Sequence, residues 1–190
     1  MRIAVSGAAG TGKSTLCKLI SANTGLELIP EINDLVLQQE MGYQTGEELF
    51  AAQGEEGMID WHMRSLKRKI MEDVKKDDYV ADKSLFDNVA RWYARMYPKA
   101  TPEQHEIMRS ALDQFHGIYD RIIFLPLNLD RPVIADGLRT TDLNQRSKFN
   151  LVLKGLYSQY RSKIETYEFN FTQEPSKVLS DIGLGVKLTK

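Results

Sequence analysis

Cysteine is almost absent from this chain, which has 190 residues and a single thiol at Cys17. One cysteine cannot form an intramolecular disulfide, and it excludes a zinc site built from four cysteines. The fold must therefore depend on a hydrophobic core, and 42% of the residues are hydrophobic. Because scarce cysteine is typical of proteins in reducing compartments, we expect a cytoplasmic protein.

Long hydrophobic runs are also missing. No segment approaches the roughly 20 consecutive apolar residues that span a membrane, and the first residues lack the apolar stretch of a signal peptide. Neither internal repeats nor a linker rich in Pro, Gly or Ser divides the chain. We therefore expect a single domain over residues 1–190, without a membrane partner.

The chain also lacks an excess of charge of one sign, because its 25 Lys and Arg residues are balanced by 26 Asp and Glu residues. Dedicated nucleic-acid-binding proteins carry a strong positive field, which a net charge of -1 does not provide. A local basic groove is still compatible with this balance. Nucleic acid is thus a disfavoured partner that composition alone leaves open.

Short apolar runs alternate with helical patterns along the chain. Strands are predicted at 2–6, 26–29, 79–81, 122–127 and 167–171. Helices are predicted after the first strand, from 45 to about 74, from 101 to about 116, near 149–160 and at 175–182. This alternation predicts an α/β fold in which helices flank a mainly parallel sheet in three layers.

Residues Gly7 to Ser14 have the spacing of a phosphate-binding loop: Gly, four residues, Gly, Lys and Ser. Glycines let backbone amides surround phosphates, and the helix that follows offers its positive N-terminus. In this pattern Lys13 reaches the β- and γ-phosphates, and Ser14 ligates Mg²⁺. We predict that ATP, with Mg²⁺ as cofactor, binds at Gly7, Ala8, Ala9, Gly10, Thr11, Gly12, Lys13, Ser14 and Thr15.

Carboxylates follow two further predicted strands, Glu31 after the second and Asp82 after the third. Ligands of open parallel sheets bind beyond the carboxyl ends of the strands, so both side chains can approach the γ-phosphate and the acceptor. Phosphoryl transfer needs bound Mg²⁺ and often a carboxylate that orients the acceptor hydroxyl. We assign the acceptor role to Glu31 and a Mg²⁺ role to Asp82. A helix cap or a surface ion pair is the alternative for either residue.

The polar segment after the fourth predicted strand contains Arg131, Arg139 and Arg146. A mobile lid at about 128–146 would bring an arginine to the migrating phosphoryl group and would exclude water. Arg139, close to Gly137, is the first candidate for this catalytic role. The alternative is that these arginines are simply solvated.

A further group of arginine and aromatic side chains includes Arg91, Trp92, Tyr93 and Arg95. Guanidinium and aromatic planes both pack on bases, and arginine binds anions, so Arg91 and Arg95 are candidates for binding the acceptor. The alternative for Trp92 and Tyr93 is a place in the hydrophobic core.

The phosphate loop, Glu31 after Pro30, the Asp82-Lys83-Ser84 triplet and the segment from Asp136 to Arg139 together resemble the P-loop nucleoside and nucleotide kinase group. The chain is especially similar to small AAA-like kinase domains related to nicotinamide riboside kinases, over about residues 1–160. The resemblance implies a P-loop NTPase fold and a kinase that acts on a nucleoside or a nucleoside monophosphate.

In deoxynucleoside kinases of this group, a glutamate after the second strand acts as the base, which would fall on Glu31. An acidic residue, arginine and serine follow the third strand of those enzymes, and here Lys83 stands where they have arginine. A lysine lacks the planar fork of a guanidinium, so its acceptor contacts differ. The resemblance also implies the lid role of Arg139.

Phosphate loops occur in several functional classes, and three of these are alternatives to a small-molecule kinase. A GTPase would carry an Asn/Thr-Lys-x-Asp element, which the chain lacks. A kinase that acts on nucleic acid, at an end or on a modified base, would use the same chemistry. A regulatory ATPase would hydrolyse ATP without an acceptor. The oligomeric state stays open, with a homodimer as one option.

Overall fold

The computed structural model describes residues 1–97, 99–128, 141–160, 164–170 and 172–184. Within these residues the strands are β1 (Arg2–Gly7), β2 (Glu27–Ile29), β3 (Tyr79–Asp82), β4 (Arg121–Leu125) and β5 (Ile164–Thr166). The helices are α1 (Lys13–Thr24), α2 (Ile32–Leu35), α3 (Gly46–Lys75), α4 (Leu85–Arg95), α5 (Pro102–Phe115), α6 (Leu143–Tyr160) and α7 (Pro175–Asp181). A π-helical turn at Val36–Glu40 follows α2.

All strand pairs are parallel, and the strand order is β2-β3-β1-β4-β5. Because successive side chains of a strand point to opposite faces, β1 contributes to two cores. Ile3 and Val5 pack with α1 and α7, whereas Ala4 packs on the side of α3 to α6. Helices thus cover both faces of the sheet, and the predicted three-layer α/β fold is confirmed.

Local sequence signals explain several element boundaries. Gly25 ends α1 in a left-handed conformation, and the hydroxyl of Thr45 caps α3 by accepting the amide of Glu48. Thr101 and Gln104 form a reciprocal capping box at the start of α5. These predicted boundaries are confirmed, because each depends on hydrogen bonds between residues close in sequence.

Two strand predictions were wrong in extent or place. The fourth strand ends at Leu125 rather than at 127, since Pro126 has no amide proton to continue the ladder. The last strand is Ile164–Thr166, and residues 167–170 of the predicted strand 167–171 follow it without strand structure. The alternating apolar residues that suggested the later strand instead pack against the core beside α7, where Phe169 is buried.

Helix α3 has 30 residues and therefore a length of about 45 Å. Gly54 interrupts its helical conformation with a φ of 61° and a ψ of −147°, which a residue with a side chain rarely adopts. Residues from both sides of this interruption border the cavity described below, and α3 also packs against α4. Among the described residues, no helix is both long and apolar enough to cross a membrane.

A buried ion pair near the end of α3 is connected to the rest of the core through Tyr119. Lys69 donates to Asp73 at 2.8 Å, and the two side chains are 1% and 0% exposed. The hydroxyl of Tyr119 donates to the other carboxylate oxygen, and the same hydroxyl accepts the amide of Leu85. Burial raises the pKa of Asp73, and the contact with Lys69 opposes that shift. This network connects α3, the start of α4 and the segment before β4.

Replacing Asp73 with Ala should destabilise the protein by about 3–5 kcal/mol, because it leaves the Lys69 ammonium buried without a counter-charge. Denaturant unfolding measures the change in the free energy of unfolding. The double variant Lys69→Met/Asp73→Ala should be more stable than Asp73→Ala alone, since it removes the uncompensated charge. Asp60→Ala, which breaks an exposed pair with Arg64, should cost no more than about 0.5 kcal/mol. A cost below about 1 kcal/mol for Asp73→Ala would contradict the assignment.

Candidate active site

The carboxyl ends of the strands border a cavity of about 870 Å³. Its walls come from the phosphate loop, from Glu31, from the first part of α3, from α4 and from the start of α6. In an open parallel sheet this edge is the place where ligands bind. The structure therefore brings Glu31, Arg91, Arg95 and most of the phosphate-loop residues to one cavity, whereas Asp82 is not among the residues that line it.

The phosphate loop has a backbone conformation that requires glycine. Gly7 has a φ of 142°, and a Cβ atom there would lie 2.4 Å from the carbonyl oxygen of Leu125. Gly12 precedes α1 with a φ of 98°. Two side chains donate hydrogen bonds to the backbone of the loop itself. The Lys13 ammonium donates to the carbonyl of Ala8 at 2.8 Å, and the Thr11 hydroxyl donates to the same carbonyl at 3.0 Å. An incoming phosphate could take over the bond from Lys13.

Most predicted loop residues line the cavity, and two lie beneath its surface. Those on the wall are Gly7, Ala9, Gly10, Gly12, Lys13, Ser14 and Thr15. Ala8 and Thr11 are buried. Burial lowers the pKa of Lys13, and the nearby carboxylates of Asp82 and Asp87 oppose that shift.

Asp87 holds the start of the phosphate loop in place. Its carboxylate accepts the amide of Gly7 at 3.1 Å and also accepts the hydroxyl of Ser6. On the other side it accepts the amide of Ser84 at 2.9 Å and the Ser84 hydroxyl at 2.7 Å. Tyr157 of α6 donates to the Ser6 hydroxyl. Sequence analysis missed Asp87, although a capping box at Ser84 and Asp87 was the available signal for α4.

Glu31 lies in the cavity wall between two cations. Its carboxylate forms an ion pair with the ammonium of Lys83, and a second contact of 3.4 Å reaches the guanidinium of Arg91. The Glu31 side chain is 21% exposed, so a ligand in the cavity can reach it. The structure thus holds this carboxylate in a defined position beside the phosphate loop.

Lys83 is held in an unusual backbone conformation. Its φ of 83° makes it the one residue other than glycine with a positive φ among the described residues. Its amide donates to the carbonyl of Val5 at 3.0 Å, which ties it to the end of β1. Burial and the nearby charges of Arg91 and Lys13 lower the pKa of Lys83, and the carboxylate of Asp87 opposes that change. Such strain is common where a side chain is directed into a functional site.

Trp61, which sequence analysis did not single out, contributes an aromatic side chain to the cavity wall. Its indole nitrogen donates to the carbonyl of Asn33 at 2.9 Å, and the Arg91 guanidinium carbon lies 5.9 Å from its ring centroid. Trp92 is fully buried in the core, so the alternative stated for it is correct. Neither Trp92 nor Tyr93 is among the residues that line the cavity. The sequence could not show which tryptophan lines the cavity, because the burial of a side chain depends on contacts with segments distant in the sequence.

Arg91 and Arg95 both line the cavity, and their role in binding the acceptor stays a prediction. The predicted lid arginine, Arg139, and its neighbour Arg131 lie outside the described residues. Arg146 falls in α6 rather than in a loop, so this helix begins inside the segment predicted as a lid.

Arg146 also lines the cavity and is only 5% exposed. Burial lowers its pKa. Its Nε atom is buried and has no hydrogen-bond partner among the described residues. A buried guanidinium donor without an acceptor is costly, so this atom suits an anionic ligand that enters the cavity.

The residues predicted to bind Mg²⁺ fit a magnesium site of the P-loop type. Ser14 stands at the start of α1 on the cavity wall. Asp82 is buried at the end of β3, and its Oδ1 atom has no hydrogen-bond partner within the described part of the chain. Magnesium in such sites is held by one or two protein oxygens together with phosphates and water. The described residues contain no group of three or more His, Cys, Asp or Glu that would hold a metal by itself.

The family model of an AAA domain matches residues 2–170. The chain belongs to this AAA domain family. The match covers the phosphate loop, both carboxylate-bearing strand ends and α6. No match is found among curated proteins.

Solved structures with a similar fold include deoxyadenosine kinase from M. mycoides with bound dATP. This structure has a TM-score of 0.68 and 14% sequence identity, and the alignment covers 96% of this chain and 100% of that one. Shikimate kinase from Aquifex aeolicus has a TM-score of 0.53 and 18% identity, with coverage of 97% and 95%. Shikimate kinase from Acinetobacter baumannii has a TM-score of 0.52 and 19% identity, with coverage of 96% and 89%. These matches confirm the predicted P-loop NTPase fold.

Proposed function

We propose that the protein is an ATP-dependent kinase that transfers the γ-phosphoryl group to a hydroxyl of a nucleoside or a nucleoside monophosphate. The observation that carries the proposal is the position of Glu31 in the same cavity as the phosphate loop, paired with Lys83 and Arg91. An oriented carboxylate beside apolar and aromatic side chains suits an acceptor that carries both a hydroxyl and a planar ring. The deoxyadenosine kinases with a similar fold, whose structures hold dATP or dCTP, support an acceptor of nucleoside type.

In the proposed reaction, the loop amides and Lys13 hold the triphosphate of ATP. Glu31 orients the acceptor hydroxyl and takes its proton while the hydroxyl oxygen forms a bond to the γ-phosphorus. The bond from that phosphorus to the β–γ bridging oxygen breaks, and ADP leaves. When bound at Ser14 and Asp82, Mg²⁺ neutralises charge on the phosphates.

Arg146 is the arginine of the described cavity that best fits the transferring phosphoryl group. Its Nε donor is buried without a partner among the described residues, and the helix that carries it is joined to the phosphate loop through Tyr157 and Ser6. Arginine stabilises the charge that spreads over the equatorial oxygens of this group in the transition state. Arg139 stays a second candidate for the same role.

The function is tested by following transfer from Mg-ATP to nucleosides, nucleoside monophosphates, nicotinamide riboside and short DNA, with acceptor-free hydrolysis measured in parallel. We expect transfer to a small acceptor and its loss in a folded Lys13→Ala variant. Transfer to DNA alone would instead indicate a nucleic acid kinase. Hydrolysis that no acceptor stimulates would indicate a regulatory ATPase and would overturn the proposal.

Glu31→Gln should lower kcat at saturating acceptor by at least about 100-fold, because an amide cannot accept the proton of the hydroxyl. The affinity for ATP should change less than about twofold, since the phosphate loop is untouched. Steady-state kinetics with both substrates varied separates the two effects. An unchanged kcat would remove Glu31 from the chemistry.

Arg146→Met should lower kcat by about 100-fold, the usual effect of losing one donor to a charged transition state. Lys148→Met is the matched control, because Lys148 lies on the same wall but is exposed. The control should keep kcat within about twofold. Equal losses in both variants would show that the wall acts only through its overall charge.

A further inference from the structure

Arg95 is a cation of the cavity wall that lacks a counter-charge among the described residues. It lies four residues after Arg91 on α4, so both guanidinium groups lie on the same face of that helix. Arg91 contacts Glu31 and lies near Trp61, and the neighbouring cation Lys99 is paired with Glu55. Arg95, in contrast, has no hydrogen bond or ion pair with any described residue.

This arrangement is unfavourable as long as the cavity contains no anion. Arg95 is half-buried, and burial together with the charge of Arg91 lowers its pKa to about 10. The group is still protonated at neutral pH, and like charges four residues apart on a helix repel each other. His62 does not add a third positive charge, because burial and the charges of both arginines lower its pKa well below the usual value. A negatively charged ligand would offset the repulsion.

The position of Arg95 separates it from the groups assigned to the reaction. Helix α4 begins directly after Ser84, at the same edge of the sheet as the phosphate loop. With a rise of 1.5 Å per residue, Arg95 lies about 6 Å farther along the helix axis than Arg91, which contacts Glu31. An anion bound at Arg95 is therefore distinct from the triphosphate and from the group that faces Glu31.

The neighbouring wall indicates what kind of molecule carries this anion. Besides the phosphate loop and the charged residues, the cavity is lined by apolar and aromatic side chains, among them Leu37, Phe50, Met58 and Trp61. Such a wall packs against a planar ring, and a guanidinium binds phosphate through its planar fork. The carboxylate of Glu31 would repel a phosphate, so a hydroxyl faces Glu31 while the phosphate lies toward Arg95.

We infer that the acceptor already carries a phosphate, which Arg95 binds, so that the substrate is a nucleoside monophosphate rather than a nucleoside. The inference rests on the proposed function and extends it by naming the acceptor class. Arg91 supports the site through its contact with Glu31, and Trp61 supplies the face for the base.

The test compares a nucleoside with its own monophosphate as acceptors for the wild-type protein and for Arg95→Met. In the wild type, kcat/KM should be at least about tenfold higher for the monophosphate. Arg95→Met should raise KM for the monophosphate at least about tenfold, since one charge-assisted contact to phosphate is lost, and should leave the nucleoside unaffected. Arg95→Lys should recover part of the affinity because it restores the charge.

Lys99→Met is the matched control, since it neutralises a cation of the same wall that already has a partner. Its KM for the monophosphate should stay within about twofold of wild type. An unchanged KM for ATP in Arg95→Met shows that the variant is folded. Equal use of nucleoside and monophosphate, or equal effects of Arg95→Met and Lys99→Met, would overturn the inference while leaving the kinase assignment intact.

Calorimetric titration with the nucleoside monophosphate, without turnover, separates this inference from the proposed function. Tighter binding by the wild type than by Arg95→Met would support the phosphate site even if no acceptor were phosphorylated. Equal affinities of the two proteins would overturn the site. Transfer to no acceptor at all would instead refute the kinase assignment.

Discussion

The carboxylate of Asp87 fixes the relative positions of three parts of the molecule. It accepts the amide of Gly7, where the phosphate loop begins, and the amide and hydroxyl of Ser84, where α4 begins. Through Ser6 it is also connected with Tyr157 of α6. A buried carboxylate is stable only when its hydrogen bonds are made, so the positions of these segments depend on one another. The loop, the start of α4 and helix α6 therefore form one framework.

This framework presents cations of two kinds to the cavity. Lys83 and Arg91 share the carboxylate of Glu31, so each has an ion-pair partner and a position that is defined without a ligand. Arg95 has no partner among the described residues, and the buried Nε of Arg146 likewise has none there. Paired cations orient a carboxylate, whereas unpaired ones attract anions. The cavity thus contains two kinds of cation: paired ones that position the carboxylate facing the acceptor, and unpaired ones that bind anions.

Features that depend on neighbouring residues were predicted well from the sequence. The phosphate loop, the stop at Gly25 and the caps at Thr45 and Thr101 each follow from backbone conformations or hydrogen bonds within a few residues. The strand ends that carry Glu31 and Asp82 were also found, because short apolar runs mark buried parallel strands. The shift of the last strand to Ile164–Thr166 was not found, since packing against α7 produces the same alternating pattern as a strand.

Helix α4 shows why the site itself was only partly predicted. Its cap at Ser84 and Asp87 was present in the sequence, but the aromatic residues after it were compatible with both a stacking surface and a core face. Only the folded chain shows that Trp92 is buried and that Trp61, from a different helix, forms the cavity wall. Burial is the sum of contacts made by segments far apart in the sequence, so the identity of a residue does not reveal it.

The sequence by itself determined the phosphate loop and the carboxylates that follow two strands, because strand order and glycine geometry leave these few positions at the ligand-binding edge of a parallel sheet. The tertiary structure decided which charges in the cavity are compensated. Glu31 can be recognised as an oriented carboxylate only when Lys83 and Arg91 are seen beside it. Arg95 can be recognised as an uncompensated cation only when its surroundings are known. Electrostatic pairing depends on distances of a few ångströms across separate elements, and local sequence patterns do not encode those distances.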